Sequence, residues 1–235
     1  MSLNTNYLIL DTKPYVIIVA GGSGSRMQTA VPKQFLLLNG SPVLMHTIQA
    51  FSDSQTNPAI IVVLPKDYHA YWHELCVKHN FDTPHQLVSG GETRFHSVKN
   101  GLSLIEGDAV IAVHDAVRPL TSTTVIDSAY QYAALNGNAI VAVQSRDSIR
   151  QVKNELSAAL VRNEIYLVQT PQVFKSDILR LAYEQQYAPE FTDDASVVEQ
   201  LGININIVSG NHTNIKITFP EDITIAEMLL KQKSH

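Results

Sequence analysis

Short apolar runs separated by segments of helical period organise this chain. Val16–Ala20, Ala59–Leu64, Gln86–Val88, Val110–His114 and Ala139–Val143 are rich in β-branched residues and nearly free of polar positions. Runs of that kind predict strands buried on both faces. Between them, Pro42–Phe51, Asp67–His79, Thr93–Ile105 and Thr123–Leu135 carry apolar residues at helical spacing. Strands alternating with helices predict an α/β domain around a mostly parallel sheet covered on both sides. In such sheets ligands sit beyond the carboxyl ends of the strands. The polar clusters of this chain follow those ends: Gly21–Lys33 after the first run, His114–Arg118 after the fourth, Ser145–Ser148 after the fifth.

The alternation then breaks. Residues 145–168 show no helical period, and Ser148-Ile-Arg-Gln-Val152 predicts an extended β-arm. So long an excursion is either functional or pairs with another chain. A two-stranded ribbon is marginal alone. Ile149, Val152, Leu156, Leu160 and Ile165 would supply an apolar face, which a second copy of the chain would cover. Lys175–Gln186 and Asp193–Leu201 read as helices, Ile203–Val208 and Asn214–Thr218 as strands, and Pro220–Leu230 as a helix with proline at its first position. Alternation over Asn214–Thr218 would set Lys216 on one face with Asn214 and Thr218, and turn Ile215 and Ile217 to the core. The expected division is a lead-in over residues 1–13 and one domain over 14–235 that includes the arm.

Within that frame, Val16-Ile-Ile-Val-Ala-Gly-Gly-Ser-Gly-Ser-Arg-Met27 is the most informative stretch. A buried strand runs into Gly21, Gly22 and Gly24, where backbone N–H groups can approach an anion. Arg26 and Lys33 add two permanent positive charges beside that cradle. A nucleoside triphosphate fits the combination. No Lys-Ser or Lys-Thr follows the glycines, which excludes a Walker A loop, and Met27 stands where a dinucleotide fingerprint needs its third glycine.

Charge narrows the classes further. Across 235 residues the net charge is −5, which argues against a nucleic-acid or membrane-surface role and confines any positive field to a cleft. The single cysteine, Cys76, permits no internal disulfide and fits a reducing, cytoplasmic setting. No apolar run reaches the ~18 residues that span a bilayer, and no signal-peptide pattern opens the chain. The histidines lack zinc-site spacing, and there is no G-x-S-x-G elbow.

Other clusters carry two readings each. His114-Asp115-Ala-Val-Arg118-Pro119 could hold a cation, sugar hydroxyls or phosphate, or it could be an ion pair bracing a turn. Gly90-Gly91-Glu-Thr-Arg94-Phe-His-Ser97 opens a helix whose N–H groups suit a polar ligand, or is a glycine turn with a cap. Lys216 could simply face solvent. Thr192-Asp193-Asp194-Ala-Ser196 reads first as a capped helix start with acids at its positive end.

Seven blocks, in order, resemble the 2-C-methyl-D-erythritol 4-phosphate cytidylyltransferase family: Ala20–Gln34, Gly90–Val98, His114–Pro119, Arg146–Ser148, Gln169–Gln172, Thr192–Ser196 and Asn214–Thr218. They span about Val16 to Leu230. The resemblance implies a Rossmann-like nucleotidyltransferase sheet and the transfer of CMP from CTP to methylerythritol phosphate, releasing pyrophosphate, with Mg²⁺ or another divalent cation. It implies catalytic roles for Arg26, Lys33, Lys216 and Arg162, the last placed by its spacing from Gln169–Gln172. Gly21, Gly22, Gly24, Gly91 and Ser97 would surround the nucleotide, with Ala20, Arg94 and Thr170 also counted as substrate contacts. Asp115, Arg118 and Ser148 would hold the acceptor, the family's usual threonine being serine at 148. The family exchanges its arm across a homodimer, so Arg162 would act in the partner's site. A ribitol 5-phosphate cytidylyltransferase and a non-catalytic nucleotide-binding module are the alternatives.

Overall fold

Seven strands form the central sheet of the computed structural model, which describes residues 12–21 and 31–233. In chain order they are β1 (Lys13–Val19), β4 (Ala59–Leu64), β5 (Gln86–Ser89), β6 (Ala109–Asp115), β7 (Asn138–Gln144), β10 (Tyr166–Lys175) and β11 (Ile207–Ser209). Two hairpins supply the remaining strands, β2 (Leu37–Leu38) with β3 (Ser41–Pro42), and β8 (Arg150–Lys153) with β9 (Leu156–Ala159). Across the sheet the order is β11-β7-β10-β6-β1-β4-β5. Every neighbouring pair is parallel except those of β10, which runs antiparallel to both β6 and β7.

Strand periodicity sends alternate side chains to opposite faces, and each face has its own core. Val16 and Ile18 of β1 join Leu44, Ile48 and Phe51 of α1 (Val43–Ser52), Trp72 and Leu75 of α2 (His69–Lys78), and Ile126 and Tyr130 of α4 (Thr123–Asn136). Ile17 points the other way, to Phe95 and Val98 of α3 (Arg94–Leu102), Leu179 and Tyr183 of α5 (Ser176–Glu184), and Val197 and Val198 of α6 (Asp194–Glu199). A third cluster sets Leu38, Val43, Val117, Leu120 and Ile217 against Ala226 of α7 (Glu221–Lys233).

The five strands and four helices expected up to residue 143 all form, as do the three helices expected beyond it. Three departures follow from tertiary context. β10 was not expected: Pro171 interrupts it, and proline is confined to edges and bulges of sheets. Here it sits in a bulge, where Gln169–Pro171 stand opposite the single residue Val141 between the pairs Val168↔Ala142 and Gln172↔Ile140. The strand expected over Ile203–Val208 shrinks to β11. Asn214–Thr218 is irregular rather than a strand, and it buries Asn214 and Ile217 while exposing Lys216. Its backbone instead serves other partners, Ile217 N–H donating to Val117 O at 2.9 Å.

The arm is a ribbon as expected, turned by Asn154 and Glu155, both at positive φ (49° and 65°) as a two-residue hairpin turn requires. It is shorter than residues 145–168, because Tyr166–Val168 already pair with β7 in the sheet. Nor does it present a single apolar face. Val152 lies opposite Ser157 and Leu156 opposite Lys153, so the two apolar side chains point to opposite faces. Both are exposed, at 68% and 77%. The expected lead-in over residues 1–13 falls almost wholly outside the described residues, and β1 already begins at Lys13.

Candidate active site

The chain passes from β1 to β4 and β5 on one side, then returns to place β6 on the other side of β1. A crevice opens at such a reversal, beyond the carboxyl ends of the strands. Ala20 and Gly21 leave β1 there, Asp115, Ala116 and Val117 leave β6, and Gly91, Glu92 and Thr93 follow β5; all line one cleft with Lys33, Gln34, Arg94, Ser97 and Lys216. Gly22, Gly24 and Arg26 lie outside the described residues.

Each wall has a local cause. The Gln34 side chain, almost fully buried, donates Nε2–H to Ala20 O at 2.9 Å, which ties the Lys33 turn to the end of β1. Ala116 N–H donates to Val19 O at 3.1 Å and joins the β6 exit to the same strand. On the third wall Thr93 caps α3, and Ser97 Oγ accepts from Gly91 N–H at 3.0 Å. Only glycine fits at 91: a Cβ there would stand 2.4 Å from His96 Cβ and 2.9 Å from its carbonyl carbon.

Asp115 is the electrostatic centre. Lys216 Nζ is 2.9 Å from Oδ2, Arg118 Nε 3.5 Å from Oδ2, and Arg94 Nε 3.8 Å from Oδ1. Burial alone would raise this carboxyl group's pKa; the charges of Arg94, Lys216 and Arg118 outweigh it and hold the group below the usual carboxylate range. The acid is therefore ionised throughout the neutral range.

Beneath it, Asp115 N–H donates to Thr170 Oγ1 at 3.1 Å, and Thr170 Oγ1 lies 3.0 Å from His114 Nδ1. His114 Nε2 lies 3.2 Å from Arg118 O. A carbonyl only accepts, so Nε2 carries the proton and Nδ1 accepts from the threonine hydroxyl. His114 is thus neutral, and burial pushes its pKa down to about 4. Asn214 closes the frame. Its Nδ2 donates to Thr170 O at 2.9 Å, its Oδ1 accepts from Thr121 Oγ1 at 2.8 Å, and its backbone O accepts from Arg118 Nη1 at 2.8 Å. That places Lys216, two residues on, over Asp115.

Arg94 is less available to a ligand than its sequence position implies. Its terminal nitrogens donate to both oxygens of the fully buried Asp194, at 2.9 and 2.6 Å. Burial would favour loss of its proton, but Asp194 more than reverses this and raises the guanidinium pKa above its ordinary value. Ser148 and Arg162 are exposed on the arm, and neither is among the residues lining the cleft. Gln34, Asn214 and Asp194 lie in motifs legible in the sequence, which assigned none of them a role in the site. The last left one signal: a helix start needs one capping acid, and Asp193-Asp194 supplies two.

A family model for 2-C-methyl-D-erythritol 4-phosphate cytidylyltransferase matches residues 15–232. The chain belongs to that family. It is 48% identical over 214 residues to the 2-C-methyl-D-erythritol 4-phosphate cytidylyltransferase of Bacteroides fragilis, covering 91% of this chain and 98% of that protein. The Porphyromonas gingivalis W83 protein of the same name is 46% identical over 222 residues, covering 94% and 99%. Among solved structures, 4-diphosphocytidyl-2C-methyl-D-erythritol synthase from Anaerococcus prevotii superimposes with a TM-score of 0.80 at 28% identity, covering 94% and 96%. The Francisella tularensis cytidylyltransferase gives a TM-score of 0.75 at 32% identity, covering 92% and 99%. The fold is accordingly the Rossmann-like nucleotidyltransferase sheet, and the chain is a cytidylyltransferase. Neither the ribitol phosphate reading nor the non-catalytic one is favoured by these matches.

Proposed function

We propose that this cytidylyltransferase transfers CMP from CTP to 2-C-methyl-D-erythritol 4-phosphate, giving the CDP-alcohol and pyrophosphate. The acceptor's phosphate oxygen forms a bond to the α-phosphorus of CTP as the bond to the bridging α–β oxygen breaks. Two polyanions must meet, so the protein's work is positioning and charge stabilisation rather than covalent chemistry. The observation that carries the reading is the convergence of Lys33, Lys216, Asp115 and the Gly21 and Gly91 turns on one cleft.

Lys33, with Arg26, stabilises the charge that gathers on the α-phosphoryl group and the departing pyrophosphate. Ala20, Gly21, Gly22, Gly24, Gly91 and Ser97 receive the nucleotide, and Arg94, whose Nε faces Asp115, belongs to the acceptor side. Lys216 orients the acceptor phosphate, while Asp115 and Arg118, framed by Thr170, take the acceptor's hydroxyls. Ser148 and Arg162 reach a site only through the arm, and the exposure of Val152 and Leu156 at its tip supports a homodimer in which each arm serves the partner.

Among the described residues no group of three or more His, Cys, Asp or Glu could hold a metal. Mg²⁺ is commonly held by substrate phosphates with one or two carboxylates, and the cleft fits that pattern. Asp115 is taken up by cations, which leaves Glu92 as the donor. When bound, the ion would neutralise triphosphate charge.

Among the described residues no helix is long and apolar enough to cross a membrane, and we place the enzyme in the cytoplasm, with no nucleic-acid or membrane partner. A pyrophosphate-release assay with CTP against methylerythritol phosphate and ribitol 5-phosphate tests the proposal. Turnover with the first alone is expected; turnover with the second alone, or with neither, would overturn it.

A further inference from the structure

The Thr192–Ser196 turn does more than start a helix. Asp193 alone performs the capping, its Oδ1 accepting from Ser196 N–H at 2.9 Å while Ser196 Oγ accepts from Asp193 N–H at 3.2 Å. Asp194 is left for another task. It is fully buried, takes both terminal nitrogens of Arg94, and accepts from the Tyr183 hydroxyl at 2.6 Å. Gln172 of the central strand β10 fixes the same turn from below, donating to Asp193 Oδ2 and accepting from Ala195 N–H, each at 2.8 Å. The anion that holds Arg94 is therefore itself anchored to the sheet.

Paired in this two-pronged way, Arg94 keeps its Nε–H among the donors not used on Asp194. Its Nε faces Asp115 Oδ1 at 3.8 Å, while Lys216 and Arg118 sit on Oδ2. The carboxylate of Asp115 thus has a different cation beside each of its oxygens, Arg94 at Oδ1 and Lys216 with Arg118 at Oδ2. We propose that Asp194, outside the cleft, is a positioning residue for the acceptor: by fixing Arg94 it sets the orientation in which Asp115 meets the acceptor's hydroxyls. Without its carboxylate partner, Arg94 would turn its fork onto Asp115 and compete with the acceptor. This inference rests on the reading of Asp115 as an acceptor contact.

Steady-state kinetics of Asp194→Asn, Asp194→Glu, Asp115→Asn and the double variant Asp115→Asn/Asp194→Asn test it. For Asp194→Asn we expect the KM for methylerythritol phosphate to rise about tenfold, with the KM for CTP changed by less than about twofold. Asp194→Glu, which restores the carboxylate, should return the acceptor KM to within about threefold of wild type. Because Asp194 acts through Asp115, adding Asp194→Asn to Asp115→Asn should raise the acceptor KM no further. Should Asp194→Asn fail to fold, Tyr183→Phe removes one hydrogen bond to Asp194 yet keeps its ring stacked on Phe95 at 4.6 Å. It should then raise the acceptor KM about threefold and spare CTP. Equal effects on both substrates, or additivity in the double variant, would reduce Asp194 to a structural role and overturn the proposal. If Asp115→Asn changes the acceptor KM while Asp194→Asn and Tyr183→Phe do not, the positioning role alone fails. If Asp115→Asn leaves the acceptor KM untouched, the reading of Asp115 fails with it.

Discussion

Lowering the pH from 6.5 to 4 should destabilise this protein, and His114 is the reason. The ring is fully buried, packed edge-on against Phe51 at 4.8 Å, with Nδ1 accepting from Thr170 and Nε2 donating to Arg118 O. Its pKa falls to about 4 from an ordinary 6.5, chiefly because burial penalises the charged ring. The unfolded chain therefore takes up a proton below pH 6.5 that the folded chain refuses until about pH 4. Stability from this group is complete above 6.5, declines between 6.5 and 4, and is level below 4. At about 1.4 kcal/mol for each pH unit crossed, the loss amounts to about 3 kcal/mol, a large share of the ~5–15 kcal/mol that holds a domain folded. Asp115, depressed in the folded state, adds a second loss only below its ordinary 3.8. Urea unfolding from pH 7 to 4, for wild type and for His114→Gln, isolates the first loss. Glutamine keeps a donor for Arg118 O but does not titrate, so its free energy of unfolding should fall with pH less steeply, by about 3 kcal/mol over the window. Parallel pH curves for the two proteins would refute the argument.

Lys33→Ala should lower kcat by about two to three orders of magnitude while CTP still binds, since losing one preorganised charge at a developing anion costs ~3–4 kcal/mol; a rise in KM alone would make Lys33 a ground-state contact. Gly91→Ala forces a Cβ to 2.4 Å from His96 Cβ. Overpacking of that kind costs about 1–3 kcal/mol, so the melting temperature should drop and the KM for CTP rise; unchanged values would show the loop adapts freely. Inactive Arg162→Ala and Lys33→Ala subunits, mixed under conditions of exchange, should regain activity, because one site of each heterodimer carries neither lesion. No recovery after proven exchange would show that Arg162 does not serve the partner.

The sequence determined the strands and their site-bearing ends. Val16–Ala20, Ala59–Leu64 and Val110–His114 are almost wholly apolar and alternate with helices, the pattern of a parallel sheet covered on both faces, and such a sheet gathers its loops at one end. That logic reached Gly21 and Lys33 from local pattern, whereas Gly91 and Asp115 took a site role only from the family resemblance. What tertiary structure decided was everything that depends on partners far along the chain. Pro171 in an isolated segment argues against a strand, yet a bulge opposite Val141 admits it to the sheet. Asn214–Thr218 alternates like a strand, yet Asn214 is buried because Thr121, Gln169 and Thr170 satisfy its amide. Asp194 reads as one of two acids at a helix start, and only folding brings Arg94, a hundred residues earlier, against it. Periodicity records which face of an element is apolar, because burial acts on each residue singly. A buried charge or amide is tolerable only when its partner is present, and that partner's place is fixed by the fold.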